Sequence, residues 1–415
     1  GSPGTSRPGR GAAGDYKEEM SGEAGGGRRV AVTGLGAVSA FGRGVAAFRE
    51  GAWSGRAAIA PVAAFDVSRF VAKTAAEVRD LPSDPESATG DRGALLALAA
   101  AGEALAGLPA ATFGGAGAGV AVGTTLAGEE AWGRGLAGGA PPFARSLPGG
   151  LAALLARRHG ARGPVATVST ACASGTAAVG LGAAWIREGR ASHVLAGGAD
   201  ALSPFVFSGF DSLRALSPTA ARPFDAARDG LTLGEGAGFL LLEDEEAAAR
   251  RGAKVLARVT GYGSAADAFH MTRPRPDGGG LARAAEAALR DARRSAADVG
   301  FVSAHGTGTV FNDAMEEAAL AHVLGPRAGS VPVHGLKGAI GHTLGAAGAL
   351  EAVLCTLVLG ASDVPPTAGH RASGPLSPLL VVSGAPHRPS VRVDVALSTS
   401  AAFSGTDAAL VLERA

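Results

Sequence analysis

The chain has 415 residues, 47% hydrophobic and 18% charged, with a formal net charge of +1. That balance excludes a general nucleic-acid or membrane binder, and the length exceeds one simple core, so two domains or two fused halves are expected. Two cysteines, Cys172 and Cys355, exclude a disulfide framework and suit a reducing cytoplasm. No signal peptide is visible, and no apolar run reads as long and charge-free enough to span a bilayer. Lys17, Lys73, Lys254 and Lys337 are the only lysines among 38 basic residues. Arginine is the default cation, so a lysine kept in a buried-looking stretch points to chemistry.

Residues 1–28 are Gly, Ser, Pro, Arg and Glu with almost nothing to bury, and read as a disordered tail in which Gly1 and Ser2 resemble a cloning remnant ahead of Met20. Val30 to Thr33 reads as a buried strand. Gly34-Leu35-Gly36-Ala37-Val38-Ser39 then starts like a dinucleotide fingerprint but ends in Ser39, and Trp53 to Arg56 lack the expected acid. A glycine-packed strand-to-helix turn accounts for it better. A helix follows over Ala94 to Leu108, a strand over Gly119 to Thr125, a loop marked by Pro141, Pro142 and Pro148, and a helix over Leu151 to His159.

Val165 to Gly180 reads VATVSTACASGTAAVG: a buried strand turning into a small-residue helix, with Cys172 at the junction. Unpaired N–H groups and the helix dipole favour a thiolate there, which makes Cys172 a candidate nucleophile with a lowered pKa. A small apolar core residue is the other reading. Next come a strand over His193 to Asp200, a turn-rich loop over Arg222 to Gly238, a strand over Phe239 to Leu242 and a helix over Glu243 to Arg251. Such alternation predicts α/β architecture.

The second half repeats the scheme, so the chain divides into halves at 29–254 and 255–415. It starts with a strand over Lys254 to Gly261 and an amphipathic helix over Leu281 to Arg293. Phe301 to Ala304 delivers His305 into Gly306-Thr307-Gly308-Thr309, where glycines let a substrate approach the backbone. Val331 to Val333 leads to Lys337, and His342 opens a second small-residue helix over Ala346 to Leu359. A helix start keeps an imidazole neutral, suited to donating a hydrogen bond to an oxyanion. Taken singly, each histidine reads more readily as a satisfied structural residue. There is no HExxH, CxxC or third ligand at useful spacing, so no metal site is expected. A Gly-x-Ser-x-Gly elbow is absent around Ser174, and Cys355 reads as core.

Together, VAVTGLGAVS, TACASG, RPFDAARDG with LGEGAG, AHGTGT, LKGAIGHTLGAAGALE and FSGTDAALVL resemble, in order and spacing, the β-ketoacyl-acyl carrier protein synthases of the thiolase superfamily. The resemblance runs from Arg29 to the C-terminus. It implies a thiolase fold, an internally duplicated five-layer α-β-α-β-α sandwich, and a dimer. It makes Cys172 the acyl-accepting nucleophile, and His305 and His342 the donors to the thioester carbonyl of malonyl-carrier protein. Lys337 pairs with Glu351, and the backbone N–H groups of Cys172 and Phe403 form an oxyanion hole. Thr307 and Thr309 hold the phosphopantetheine arm of the acyl carrier protein, and no other cofactor is implied. Arg214 matches a carrier-protein docking position, with Arg69 and Lys73 as further candidates.

The usual Asn-Ser-Phe-Gly-Phe-Gly-Gly-Thr-Asn reads Thr399-Ser400-Ala401-Ala402-Phe403-Ser404-Gly405-Thr406-Asp407, and Val310-Phe311-Asn312-Asp313 stands where Pro-Leu-Gly-Asp is common. Ala401 removes a ring near the gate. These departures resemble ketosynthases of aryl-polyene and highly reducing type II polyketide pathways. That implies repeated two-carbon, decarboxylative elongation with a homologous chain-length factor as partner subunit. A fatty-acid elongation synthase acting as a homodimer is the alternative. A thiolase would require a second cysteine near Phe403, and a non-catalytic partner subunit would lack Cys172.

Overall fold

The computed structural model describes residues 27–81, 91–109, 112–126, 128, 129, 133 and 147–415. The expected tail lies outside the described residues as far as residue 26, as do Pro141 and Pro142. Gly27 and Arg28 are exposed, and Arg28 pairs with Asp244 at 3.3 Å.

Strand β1 (Val30–Ser39) runs straight through the Gly-Leu-Gly block. The turn expected there is absent. Gly34 and Gly36 instead lie mid-strand beneath helix α1 (Arg92–Leu105), whose first turn is capped by Asp91. A Cβ on Gly34 would fall 2.0 Å from the Ala104 carbonyl oxygen, and one on Gly36 1.8 Å from that of Ala100. The glycines serve close helix–strand approach.

Strands β2 (Ala118–Gly123), β3 (Val165–Val168), β4 (His193–Asp200) and β5 (Gly236–Asp244) join β1 in the order β3-β2-β4-β5-β1. Within it β3, β2 and β4 are parallel and β5 is antiparallel to both neighbours. The second half builds β6 (Ala257–Ala266), β7 (Phe301–Ala304), β8 (Pro332–Gly335), β9 (Val395–Ala401) and β10 (Thr406–Arg414) in the corresponding order β8-β7-β9-β10-β6. Directions match strand for strand. The two sets touch where Ala31 and Val32 of β1 pair with Arg258 and Ala257 of β6. Leu380–Val381 adds a short strand outside β8. One supersecondary plan has been used twice.

Helices α2 (Gly149–His159) and α1 cover the outer face of the first sheet. Between the sheets lie α3 (Ser174–Arg187) and α7 (Ala347–Ala361), which touch each other and both sheets. Helices α5 (Gly279–Asp291) and α6 (Val310–Leu324) cover the far face of the second sheet. The layers are therefore α-β-α-β-α, the expected sandwich. The central pair is apolar on all sides because it faces protein on all sides. Small residues let it pack: a Cβ on Gly175 would lie 2.7 Å from the Gly345 carbonyl oxygen.

Two expectations are corrected. Leu344–Ala361 is long and apolar enough to cross a membrane, the one such segment among the described residues, but 83% of it is buried in the central layer. Strand β3, expected to be buried, pairs only with β2, and its Val165 is 42% exposed. Apolar composition marks a sheet edge here, not an interior.

Candidate active site

Cys172 lies between β3 and α3, 6% exposed, after Ala171, whose φ of 48° is left-handed and strained for a non-glycine residue. The helix start lies where the sequence puts it, but the expected fall in thiol pKa does not follow. Burial pushes the Cys172 thiol up to about 11, against the pull of Lys337 and of the backbone N–H groups of Phe403 and Cys172 itself. Desolvation of the thiolate outweighs the helix end. At rest Cys172 is a thiol with two N–H donors aimed at it.

The two histidines reach the same place from the other half. His305 follows β7, and its backbone N–H, with that of Gly306, donates to Glu316 of α6 at 2.6 and 2.7 Å. His342 precedes α7, and its ring stands 5.3 Å from that of His305, centroid to centroid, at 85°. Lys337 Nζ donates to His305 Nδ1 at 3.2 Å and to the His305 carbonyl at 2.6 Å, and meets Glu351 Oε1 at 2.5 Å. Lysine has only donors, so His305 Nδ1 must accept and the ring proton sits on Nε2. Likewise His342 Nδ1 accepts from the Leu344 N–H at 3.2 Å, which leaves its proton on Nε2. Burial holds both rings well below the ordinary imidazole range, and the Lys337 charge adds to it. Two neutral rings therefore present Nε2–H donors beside the thiol. That arrangement stabilises an oxyanion without proton exchange.

Cys172, His305, His342 and Phe403 line one cavity of about 350 Å³, together with Thr307, Thr309 and Ala401. The Thr307 and Thr309 hydroxyls are 3.0 Å apart, and Thr309 also caps α6. The Phe403 ring stacks on Phe210 of α4 (Pro204–Ser212) at 5.5 Å and 24°. Arg214 is exposed at the mouth. Arg69 and Lys73 do not line the cavity: they lie on the exposed loop beside α4, where Lys73 Nζ is held by the Val67 and Ser68 carbonyls at 2.6 and 2.9 Å. Arg273, which sequence reading missed, does line the mouth and sits 4.9 Å over the exposed Phe311 ring. Cys355 is fully buried in α7, as expected of core.

Sequence reading also missed the buried carboxylates that hold the frame. Glu316 accepts from the Thr399 hydroxyl at 2.8 Å as well as from the His305 loop, and burial pushes its carboxyl up to about 7. Asp313 accepts from the Phe224 and Gly308 N–H groups at 2.7 and 3.1 Å, joining the RPFDAARDG block to the His305 loop. Asp200, at the end of β4, accepts from the Thr124 hydroxyl at 2.6 Å and the Gly345 N–H at 2.7 Å. An acid closing an apolar strand was the signal for Asp200. The three-residue spacing of Asp313 and Glu316 after HGTGT was the signal for the other two.

A thiol, two neutral imidazoles and a buried lysine–glutamate pair, set between two copies of one α/β unit, define a condensing enzyme of the thiolase type. The beta-ketoacyl synthase N-terminal domain family matches residues 27–248 and the C-terminal domain family residues 256–371. The chain belongs to the β-ketoacyl synthases, acyltransferases that condense an acyl thioester with malonyl-carrier protein, with loss of carbon dioxide.

Among relatives, the tetracenomycin polyketide synthase ketoacyl synthase alpha subunit of Streptomyces glaucescens is 38% identical, over 93% of this chain and 97% of that protein. Nodulation protein E of Rhizobium meliloti is 37% identical over 93% and 99%. Among solved structures, the ishigamide ketosynthase/chain length factor matches with a TM-score of 0.87 at 37% identity, over 94% of this chain and 100% of that one. A ketosynthase in complex with its chain length factor from Xenorhabdus doucetiae matches with a TM-score of 0.82 at 30% identity, over 94% and 98%.

Proposed function

We propose that this protein is the catalytic ketosynthase of a type II polyketide system of the aryl-polyene or highly reducing kind, with Cys172, His305 and His342 as its catalytic residues. Cys172 Sγ attacks the thioester carbonyl of an acyl-carrier protein. The C–S bond to the phosphopantetheine breaks and its thiol takes the Cys172 proton. The N–H groups of Cys172 and Phe403 hold the transient oxyanion. Malonyl-carrier protein then enters past Arg214, its arm held by the Thr307 and Thr309 hydroxyls. The Nε2–H groups of His305 and His342 hold its thioester oxygen as carbon dioxide leaves and the enolate forms. The enolate carbon attacks the acyl carbonyl on Cys172, and the Cys172 thiolate departs and takes a proton from solvent to restore the thiol. Lys337 and Glu351 fix the His305 tautomer.

The observation that carries this reading is the pair of neutral imidazoles, 5.3 Å apart, lining one cavity with Cys172. The partner is a homologous chain-length factor. The open edge of β3, the strand that leads into Cys172, supports a subunit interface there, and the similar solved structures are named as such complexes. The two unpaired cysteines suit a cytoplasmic setting. Ala401 lines the cavity where the family has a ring, which favours rigid, straight polyenoyl chains.

Elongation of matched dienoyl- and saturated acyl-carrier proteins, with and without the co-expressed partner, tests the proposal. Faster dienoyl turnover that needs the partner, and shorter products from Ala401→Phe, are expected. Equal turnover of saturated chains by a homodimer supports the fatty-acid alternative.

A further inference from the structure

One pair of buried acids plays no part in the chemistry above. Asp267, after β6, is 4% exposed and Asp407, at the start of β10, is 2% exposed. Asp267 Oδ1 and Asp407 Oδ2 each lack a conventional donor. They converge on one point: a Cβ on Gly280 would fall 2.1 Å from the first and 2.3 Å from the second. Two carboxylates cannot face each other so closely in a buried place unless a proton lies between them. Asp407 stands where the family pattern ends in Asn, whose amide would donate; a carboxyl donates only when protonated.

The pair brackets the turn that carries Phe403. Asp407 closes the turn Phe403–Gly405 on its far side, and the Asp267 N–H donates to the Gly405 carbonyl at 2.7 Å. The Ser404 N–H donates to the Met271 carbonyl at 2.6 Å. Ser404 itself sits at φ 72°, a left-handed conformation that strains a residue with a Cβ. The turn that covers Cys172 is thus strained within and pinned from outside.

We propose that Asp267 and Asp407 share one proton and so latch the Phe403 turn over Cys172, and that the turn loosens as pH rises. Rising pH removes the proton to solvent and leaves two anions face to face. The inference concerns the turn and is independent of the polyketide assignment. The groups facing Asp407 are Asp267 on its own loop, Glu316 of α6, which adds repulsion, and Arg283 of α5, which offsets part of it. Burial and then Asp267 push Asp407 up to about 8, which places the change in the working range. An acid raised in the folded state holds a proton that the unfolded chain lacks. Its stabilising contribution is therefore complete below the unfolded value and lost as pH rises toward about 8.

Asp407→Asn keeps a donor and removes the titration; Asp267→Asn does so from the other side. The melting temperature of Asp407→Asn minus that of wild type should grow from pH 5 to about 8 and then level off. The ratio of wild-type to Asp407→Asn alkylation rates at Cys172 with iodoacetamide cancels the thiol's own pH dependence. It should climb from about pH 5, by up to about tenfold per pH unit, and level off above about 8. A melting difference independent of pH in both variants overturns the shared proton. A melting difference that moves while the alkylation ratio stays flat overturns the latch. If neither variant folds, a wild-type melting temperature that does not fall from pH 5 to 8 overturns both.

Discussion

Lys337→Met separates chemistry from architecture at the centre of this site. Lys337 and Glu351 are 2% and 1% exposed at their side chains, with Nζ 2.5 Å from Oε1. Removing one partner of a buried pair strands the other charge and costs about 3–5 kcal/mol. Glu351, already raised by burial and held down chiefly by Lys337, would take up a proton in its absence. The second loss is local: His305 Nδ1 no longer has its donor at 3.2 Å, so the tautomer that carries the proton on Nε2 is no longer enforced. Losing one aligned oxyanion donor costs about 10²–10³ in rate. The single variant should therefore be less stable, should still accept an acyl group on Cys172, and should lose about two to three orders of magnitude in malonyl decarboxylation. Lys337→Met with Glu351→Gln removes both charges and should recover most of the stability but none of the decarboxylation. Denaturant midpoints and carbon dioxide release are the two readouts. If the double variant recovers decarboxylation along with stability, Lys337 only supports the fold and the tautomer argument fails.

The remaining predictions address the thiol, the histidines and the mouth. With the thiol titrating at about 11, Cys172 alkylation in the Asp407→Asn background should rise steadily from pH 7 to 10; a plateau near pH 8 would show a thiolate poised by the helix end. His305→Ala and His342→Ala should each load acyl groups normally yet decarboxylate malonyl-carrier protein about 10²–10³ times more slowly, and near-normal elongation by either makes that ring structural. Arg214→Glu, at the exposed mouth, should raise KM for carrier-bound substrates and flatten its salt dependence while leaving kcat intact. Kinetics identical to wild type across a salt series would show that Arg214 takes no part in docking.

The reactive residues were legible because each is an unusual residue type delivered by a strand into a glycine-rich turn: Cys172 after VATVSTA, His305 after FVSA, Lys337 after VPVHGL. The carboxylates that position them were not. Glu316 and Glu317 are neighbours on the same helix, yet only Glu316 is fully buried, and nothing local to them differs. What differs is which face of α6 meets the His305 loop, a fact of tertiary packing. The same limit governs the glycines of β1. Gly-Leu-Gly reads as a turn from composition, and only the carbonyls of Ala100 and Ala104 overhead show that the glycines admit a helix. The thiol pKa escaped for a related reason. A helix start is visible in sequence, whereas the desolvation that overrides it comes from burial in the assembled fold.

The duplication explains why the site can exist at all. In each half the parallel strands end on the same side, and their C-terminal ends are where loops leave the sheet for helices. In the first half β3 ends just before Cys172 and the start of α3. In the second half β8, the corresponding strand, ends just before Lys337, and His342 precedes α7. His305 follows β7 as Thr124 follows β2, and Phe403 follows β9 as Leu202 follows β4. Corresponding strand ends thus hold different side chains: the thiol on one copy, the two imidazoles and the lysine–glutamate pair on the other. Asp200 spans the seam, accepting from Thr124 of its own half and from Gly345 of the other. Cutting the Gly345 bond by Asp200→Ala should therefore misplace Cys172 relative to His342 without touching either side chain. Acyl loading, which uses Cys172 and the Phe403 N–H but neither imidazole, should survive better than condensation, which also needs His342 in register with Cys172. Equal loss of the two half-reactions would mean that Asp200 supports the fold as a whole and not the alignment of its halves.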